Sequence, residues 1–347
     1  MTTRPTSFDV AAMAGVSQAT VSRVLNDSAL VSARARRRVM DAAQSLNYKV
    51  DANARKLRSK KVHTLEVVVV EEVNNDCGVI NPFFVPMIAE IIKYAGQMGF
   101  EPVVSMQQDS RGGDPYSCVS RPAAGVIFLA PKDFETYASH TRSPNAGDDH
   151  WVVWGRYCTD ATTACVVSDN EAGAFDAVSH LIDQGRKRIA YLGKFSGEQW
   201  EFIERHKGYC DALQAAGLPA DERLQADCVL NMAGGAEAVS RLIEAGVEFD
   251  AIFAATDVLG IGAMRELTAR GIAIPDQVAV MGFDDLWICN TVTPRLSTVR
   301  QDTIAAARVL VDNVAALIEG EGASTTKIPT ELVIRESCGG KRNPADD

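Results

Sequence analysis

The stretch AGVSQATVSRVLN, from Ala14 to Asn26, decides how the rest of the chain is read. Gly15 breaks one short helix, because glycine enters the left-handed backbone region without the clash a Cβ would make. A second helix starts at once, with Ser17 as its cap and Asn26-Asp27-Ser28 as the turn that ends it. Val16, Val21 and Leu25 fall on one side of that helix; Ser17, Gln18, Thr20, Ser22 and Arg23 fall on the other. Ser7 is expected to cap the preceding helix, which runs through Val10, Ala11 and Ala14. Ser32 opens a third helix, whose apolar positions Ala35, Val39, Ala42 and Leu46 recur at helical spacing. Helix, tight glycine turn and polar second helix make the helix-turn-helix arrangement, whose second helix enters the DNA major groove. Gln18 suits adenine, Arg23 suits the O6 and N7 edge of guanine, and Ala19 offers a methyl to thymine. Thr20, Ser22, Asn26 and Ser32 are short donors that suit phosphate oxygens.

Charge separates this segment from the rest. The chain has 347 residues and a net charge of −10. Residues 1–61 hold 12 basic against 4 acidic side chains, whereas the remainder holds 23 against 41. A basic head on an acidic body predicts that the head alone meets a polyanion. The length predicts more than one domain. VDANARKLRSKK, after Tyr48, reads as a linker in which Asp51 caps a helix too short to persist unaided.

From Val62 onward the rhythm is strand, helix, strand, helix. LEVVVV (65–70) is a continuous apolar run, as in a strand covered on both faces. A helix follows with Val85, Ile88, Ile92 and Ala95 on its inward face, then PVVSM, GVIFLA, WVVW and TACVV as strands. Helices around Phe175, Tyr209, Val239 and Ile261 alternate with strands RIAYLG, CVL, DAIFAA and VAVMGF. A last helix from Ile304 to Ile318 precedes TELVIR. Such β-α units predict parallel sheets with helices on both faces, here as two subdomains.

Several function classes drop out. No window holds the roughly 18 consecutive apolar residues of a membrane span. MTTRPTSFDV lacks the apolar run of a secretory leader, so a cytoplasmic protein is expected. The eight cysteines form no Cys-x-x-Cys pair and do not cluster with histidines, so reduced thiols and no bound metal are expected. No GxGxxG follows the first strand, LGKFSG lacks phosphate-loop spacing, and Ser179-His180 has no visible triad partner. Neither an enzyme nor a cofactor is expected.

FDVAAMAGVSQATVSRVLND (Phe8 to Asp27) resembles, residue by residue, the signature of the bacterial LacI/GalR repressors. The resemblance continues through NPFF (81–84), Arg205-His206-Lys207-Gly208-Tyr209, ATDVLGIGAMREL, VAVMGFDDL, TPRLSTVRQD and ELVIRES. It implies a small all-α helix-turn-helix domain (1–50), a hinge helix (51–61) and a two-subdomain α/β core of periplasmic-binding-protein type (62–347). The N-subdomain would comprise about 62–167 and 295–328, the C-subdomain about 168–294 and 329–338. Gln18, Ala19 and Arg23 would read bases, and Thr6, Ser17 and Arg55 would join the DNA contacts. Ala54 and Leu57 would enter the minor groove, the leucine as a wedge that bends the duplex. The hinge departs from the family at Val50-Asp51, where Pro-Asn is usual.

In the core, ligands of parallel sheets sit beyond the carboxyl ends of the strands. The resemblance places Phe83, Phe84, Arg205, Thr256, Asp257 and Asp284 there, with Asp109, Leu129 and Glu201 at positions where family sugar pockets carry polar groups. Capping of the following helix is the alternative for Asp257 and Asp284. The implied partners are double-stranded operator DNA, a small-molecule effector such as a sugar or neutral polyol, and a second copy of the chain, with no membrane. The other reading, a stand-alone small-molecule binding protein, would require a leader and no basic head.

Overall fold

The computed structural model describes residues 5–25, 31–46, 63–70, 80–107, 123–129, 150–157, 163–197 and 199–340. It resolves two compact units, Met1–Val62 and His63–Asp347. The expected hinge helix lies outside the described residues, with its Ala54, Arg55 and Leu57; so do Asn26 and Asp109.

The first unit is a three-helix head: α1 (Ser7–Ala14), α2 (Gln18–Leu25) and α3 (Ala33–Ser45). Thr6, not Ser7, caps α1. Its Oγ1 accepts from Asp9 N–H, and Asp9 returns the favour to the Thr6 N–H at 2.8 Å, a reciprocal capping box. The Thr6 N–H first, and then the Thr6 hydroxyl at 2.7 Å, both donating to Asp9 Oδ2, hold the Asp9 carboxyl below the usual carboxylate range. Gly15 stands at φ 59° and ψ 42°, and a Cβ there would collide with Arg38, whose Nη2 donates to the Gly15 carbonyl at 3.2 Å. The core is Val10, Ala11, Ala14, Val21, Val24, Val39, Ala42 and Ala43. Val24, three residues beyond Val21, joins that core because one helical turn brings it back to the same face; the Leu25 side chain lies outside what the structure describes.

The second unit has two parallel sheets. The larger has the strand order β11-β5-β4-β3-β1-β2. These strands are β1 (Thr64–Val70), β2 (Glu101–Gln107), β3 (Gly125–Leu129), β4 (Trp151–Trp154), β5 (Thr163–Ser168) and β11 (Thr325–Ile328). The smaller, β7-β6-β8-β9, comprises β6 (Ile189–Leu192), β7 (Gln225–Ala226), β8 (Ala251–Ala254) and β9 (Ala279–Met281). Strands β3, β4, β5, β6, β8 and β9 are buried at every position, as the apolar runs predict. Helices α4 (Phe84–Gln97) and α9 (Thr303–Ile318) pack on the first sheet. Helices α5 (Asn170–Asp183), α6 (Trp200–Ala215), α7 (Met232–Glu244) and α8 (Asp257–Ala269) cover the second.

The chain crosses between these lobes at Ser168–Asn170 and again along β10 (Thr298–Gln301) and β12 (Thr330–Val333), which pair antiparallel. That pair departs from the all-parallel expectation, since neighbouring crossings in opposite directions can only pair so. Three other sequence expectations are corrected. Met87 and Ile91 are buried in α4, while Val85 and Ile92 face outward, 54% and 43% exposed. CVL (228–230) is not a strand; β7 ends before it. Cys165 is disulfide-bonded, whereas Cys210, Cys228, Cys289 and Cys338 are free thiols. Composition speaks to compartment and is blind to which two sulfurs meet in space. Among the described residues no helix is long and apolar enough to cross a membrane.

Candidate nucleic-acid interface and ligand cleft

On the head, Ser17, Ala19 and Arg23 are exposed, and Gln18, Thr20 and Ser22 are half-buried. Ala19 and Arg23, four residues apart, share the outermost face of α2. Thr20 N–H donates to Ser17 Oγ at 3.2 Å, so Ser17 caps α2 as the sequence predicts. Gln18 Nε2 donates to Ser7 Oγ at 3.4 Å, linking α2 to the start of α1. Exposed Thr6 and Ser32 cap the N-termini of α1 and α3. Phe8 is 71% exposed on α1, an aromatic on the surface of the head.

In the core, Arg205 is the organising side chain. It projects from α6 and is only 4% exposed. Its Nε donates to Asn170 Oδ1 at 2.9 Å and its Nη1 to the Ala255 carbonyl at 2.6 Å, while Nη1 lies 3.3 Å from Asp284 Oδ1. The guanidinium stacks over the Phe283 ring at 3.8 Å and faces Phe202 at 5.3 Å. Asp284 also accepts from Gln301 Nε2 at 2.7 Å. Asn170 Nδ2 donates to the Ser168 carbonyl and to Glu204, so its oxygen must face Arg205. Asn170 begins α5 at one lobe crossing and Gln301 ends β10 at another. Sequence alone singles out neither, although Gln301 lies within TPRLSTVRQD and Asn170 closely follows TACVV.

The loop after β9 is unusual. Asp284 and Asp285 have φ of 115° and 55°, a region side chains rarely adopt. Asp285 turns away from its neighbour: Arg335 Nη2 donates to it at 2.6 Å and Arg300 Nε at 2.7 Å. Asp257, expected as a ligand contact, is fully buried behind this loop with both carboxyl oxygens engaged. Burial first, then the charge of Asp284, pushes its carboxyl up to about 8. Helix capping falls instead to Thr256, whose Oγ1 accepts from Leu259 N–H at 3.4 Å.

On the facing lobe, Phe83 packs against Trp154 at 6.2 Å and edge-on to Phe84 at 5.2 Å. These three form an apolar wall at the carboxyl ends of the first sheet, and Leu129 is fully buried within it. Tyr157, three residues past the end of β4, is raised in pKa by burial first and then by the charge of Glu204, which places it opposite α6. Glu201, in the first turn of α6, is half-buried on the helix that carries Arg205. The structure thus brings Arg205 and Asp284 together, and sets Phe83 and Phe84 in the opposing wall.

Comparison with known proteins agrees with both halves. Residues 8–51 match the model of the bacterial regulatory proteins of the lacI family, and residues 178–338 match a periplasmic binding protein-like domain. The transcriptional regulator AscG of Escherichia coli K12 is 31% identical over 337 residues, covering 95% of this chain and 97% of that protein. The structure of the lac repressor dimer bound to operator and the anti-inducer ONPF superposes with a TM-score of 0.80 at 25% identity, over 97% and 99% of the two chains. A complex of the regulator CelR with cellobiose gives 0.70 at 28%, over 96% and 100%.

Proposed function

This chain belongs to the lacI family of bacterial regulatory proteins, and we propose that it represses transcription from an operator whose occupancy a small polyhydroxylated ligand controls. It is a helix-turn-helix transcriptional regulator. Gln18, Ala19 and Arg23 read base edges, while Thr6, Ser17, Thr20, Ser22 and Ser32 hold phosphates; Asn26, Ala54, Arg55 and Leu57 join them in this reading. The acidic core repels DNA, so affinity rests on the basic head and falls steeply with salt. Regulation is its whole role in this reading: the relatives are regulators, not enzymes. Its place is the cytoplasm, on the nucleoid when bound to DNA.

The single observation that carries the ligand reading is the nearly buried Arg205–Asp284 pair at 3.3 Å, set among aromatic faces. Arginine donates, aspartate accepts, and their charges offset one another. That combination suits hydroxyl groups and a neutral ring, as in the cellobiose of the CelR complex, rather than a phosphate. Glu201 and Asp109 would add acceptors. A ligand shifts the repressor only by binding its two states unequally.

A homodimer completes the reading. Val85 and Ile92 on α4 and Val104 on edge strand β2 are exposed apolar side chains of the first lobe, which a second copy would cover. Two heads then read a near-palindromic site.

The test compares the full chain with a chain beginning at His63. Full-length protein is expected to prefer a near-palindromic duplex in a salt-sensitive manner. The shortened chain is expected to lose that preference and keep a sugar-induced rise in melting temperature. A full chain with no salt-sensitive preference for any duplex overturns the proposal.

A further inference from the structure

Asp257 is the first residue of α8, yet its side chain turns inward and is completely buried. One carboxyl oxygen accepts from the Leu286 N–H at 2.7 Å, the other from the Thr298 hydroxyl at 2.5 Å. Its own N–H donates to the Phe283 carbonyl at 2.8 Å. Asp257 therefore grips the loop on both sides of Asp284, at residues 283 and 286, and ties it to β10 at Thr298. Gly282 leaves it room, because a Cβ at that position would collide with Asp257 Oδ1.

The charges around it are committed elsewhere. From α6, Arg205 engages Asp284; from β10 and the segment after β12, Arg300 and Arg335 engage Asp285. Facing Asp257 directly are Asp284 from the loop, Thr298 from β10 and the Cys289 thiol from the 3-10 turn Trp287–Asn290. A buried carboxylate beside a second carboxylate, with no cation paired to it among the described residues, is costly as an anion. We propose that Asp257 is a neutral, proton-carrying positioning residue. It clamps the Phe283–Leu286 loop, holds Asp284 at the cleft, and fastens that loop to the crossing strand β10. Only the role of Asp284 as a ligand contact rests on the proposed function.

The sign of the linkage follows from the elevated pKa. Between the unfolded and folded values the folded chain carries the extra proton, so stability falls as pH rises through that window and levels off above it. A single linked proton changes the folding constant by about tenfold per pH unit. Urea unfolding of the full-length protein, at about pH 6 to about pH 9, tests this on four chains: wild type, Asp257→Asn, Asp257→Ala and Asp284→Asn. As the neutral acid Asp257 turns its proton toward Thr298 Oγ1, and asparagine keeps both contacts in that sense, its oxygen accepting from the Leu286 N–H and its amide donating to Thr298 Oγ1. Asp257→Asn is therefore expected to remove the pH-dependent fall seen in the wild type, and Asp284→Asn to move its end to lower pH. Asp257→Ala is expected to speed amide exchange in residues 283–286 by about tenfold, and Asp257→Asn to leave it slow.

The proposal is overturned if Asp257→Asn follows the wild-type pH curve, or if Asp257→Ala leaves the loop equally protected. Should Asp257→Asn fail to fold, the infrared band of a protonated carboxyl in the wild type decides. It is expected near neutral pH and lost at alkaline pH; its absence near neutral pH overturns the clamp. No measurement here uses a ligand. If no sugar raises the melting temperature while these results hold, the ligand reading fails and the clamp stands.

Discussion

Arg205 and Asp284 meet at 3.3 Å, yet each is anchored independently of the other, Arg205 through Asn170 and Ala255, Asp284 through Gln301. Both arms therefore end at segments where the chain crosses between lobes. A ligand inserted between the two charges is therefore expected to act on those crossings directly.

Arg205→Lys retains the charge and removes the fork that reaches Asn170, the Ala255 carbonyl and Asp284 together. The expected result is a folded protein that binds DNA as before, with the sugar-induced rise in melting temperature lost or reduced by most of its size. Thermal melts with a panel of neutral sugars, alongside operator titrations, check both halves.

The residues proposed to read bases would separate from those proposed to hold phosphates by what their loss does to discrimination. Gln18→Ala and Arg23→Ala are each expected to cost about 1–3 kcal/mol and to relax preference at one position of each half-site. Thr20→Ala is expected to weaken binding to every duplex alike. Competition binding against single-base variants of the selected site distinguishes the two patterns.

Asp285 and Glu331 both pair with Arg300, in opposite surroundings. Asp285 also holds Arg335, itself 4% exposed, whereas the Glu331 side chain is 68% exposed. Removing Asp285 strands a buried guanidinium, so Asp285→Ala is expected to cost about 3–5 kcal/mol. Glu331→Ala is expected to cost less than about 1 kcal/mol. Urea midpoints measured side by side test the contrast.

The capping box of α1 gives the head its own acid limit. Thr6→Ala is expected to destabilise the head by about 1 kcal/mol. Because Asp9 is held below its usual range, its contribution is present above the unfolded carboxylate value and lost as pH falls through the folded one. Amide exchange in α1 of the full-length chain, followed down through about pH 4, is expected to show faster opening in wild type and no further loss in Thr6→Ala.

The head and the β-α rhythm were legible because both are written locally. A glycine turn, a serine cap and uninterrupted valine runs each settle their own few residues. What sequence missed depends on partners far along the chain. Whether Val85 or Met87 faces inward is decided by α9, more than two hundred residues later, and both are apolar. Asn170 and Gln301 look like ordinary polar residues until the fold brings them to Arg205 and Asp284. Asp257 read as a ligand contact because it follows a strand end. Its true surroundings, Leu286 and Thr298, come from the next strand and a lobe crossing.

The place of β11 in the first sheet bears on how the protein is made. Thr325–Ile328 pairs with Cys165–Ser168 as the sheet's outer strand, and Val280 N–H donates to the Ser337 carbonyl beside the second sheet. The first lobe is not complete until Ile328 has been synthesised, nor the second until Ser337. The head is complete within its first few dozen residues. On the ribosome, the helix-turn-helix head is finished long before either lobe of the core.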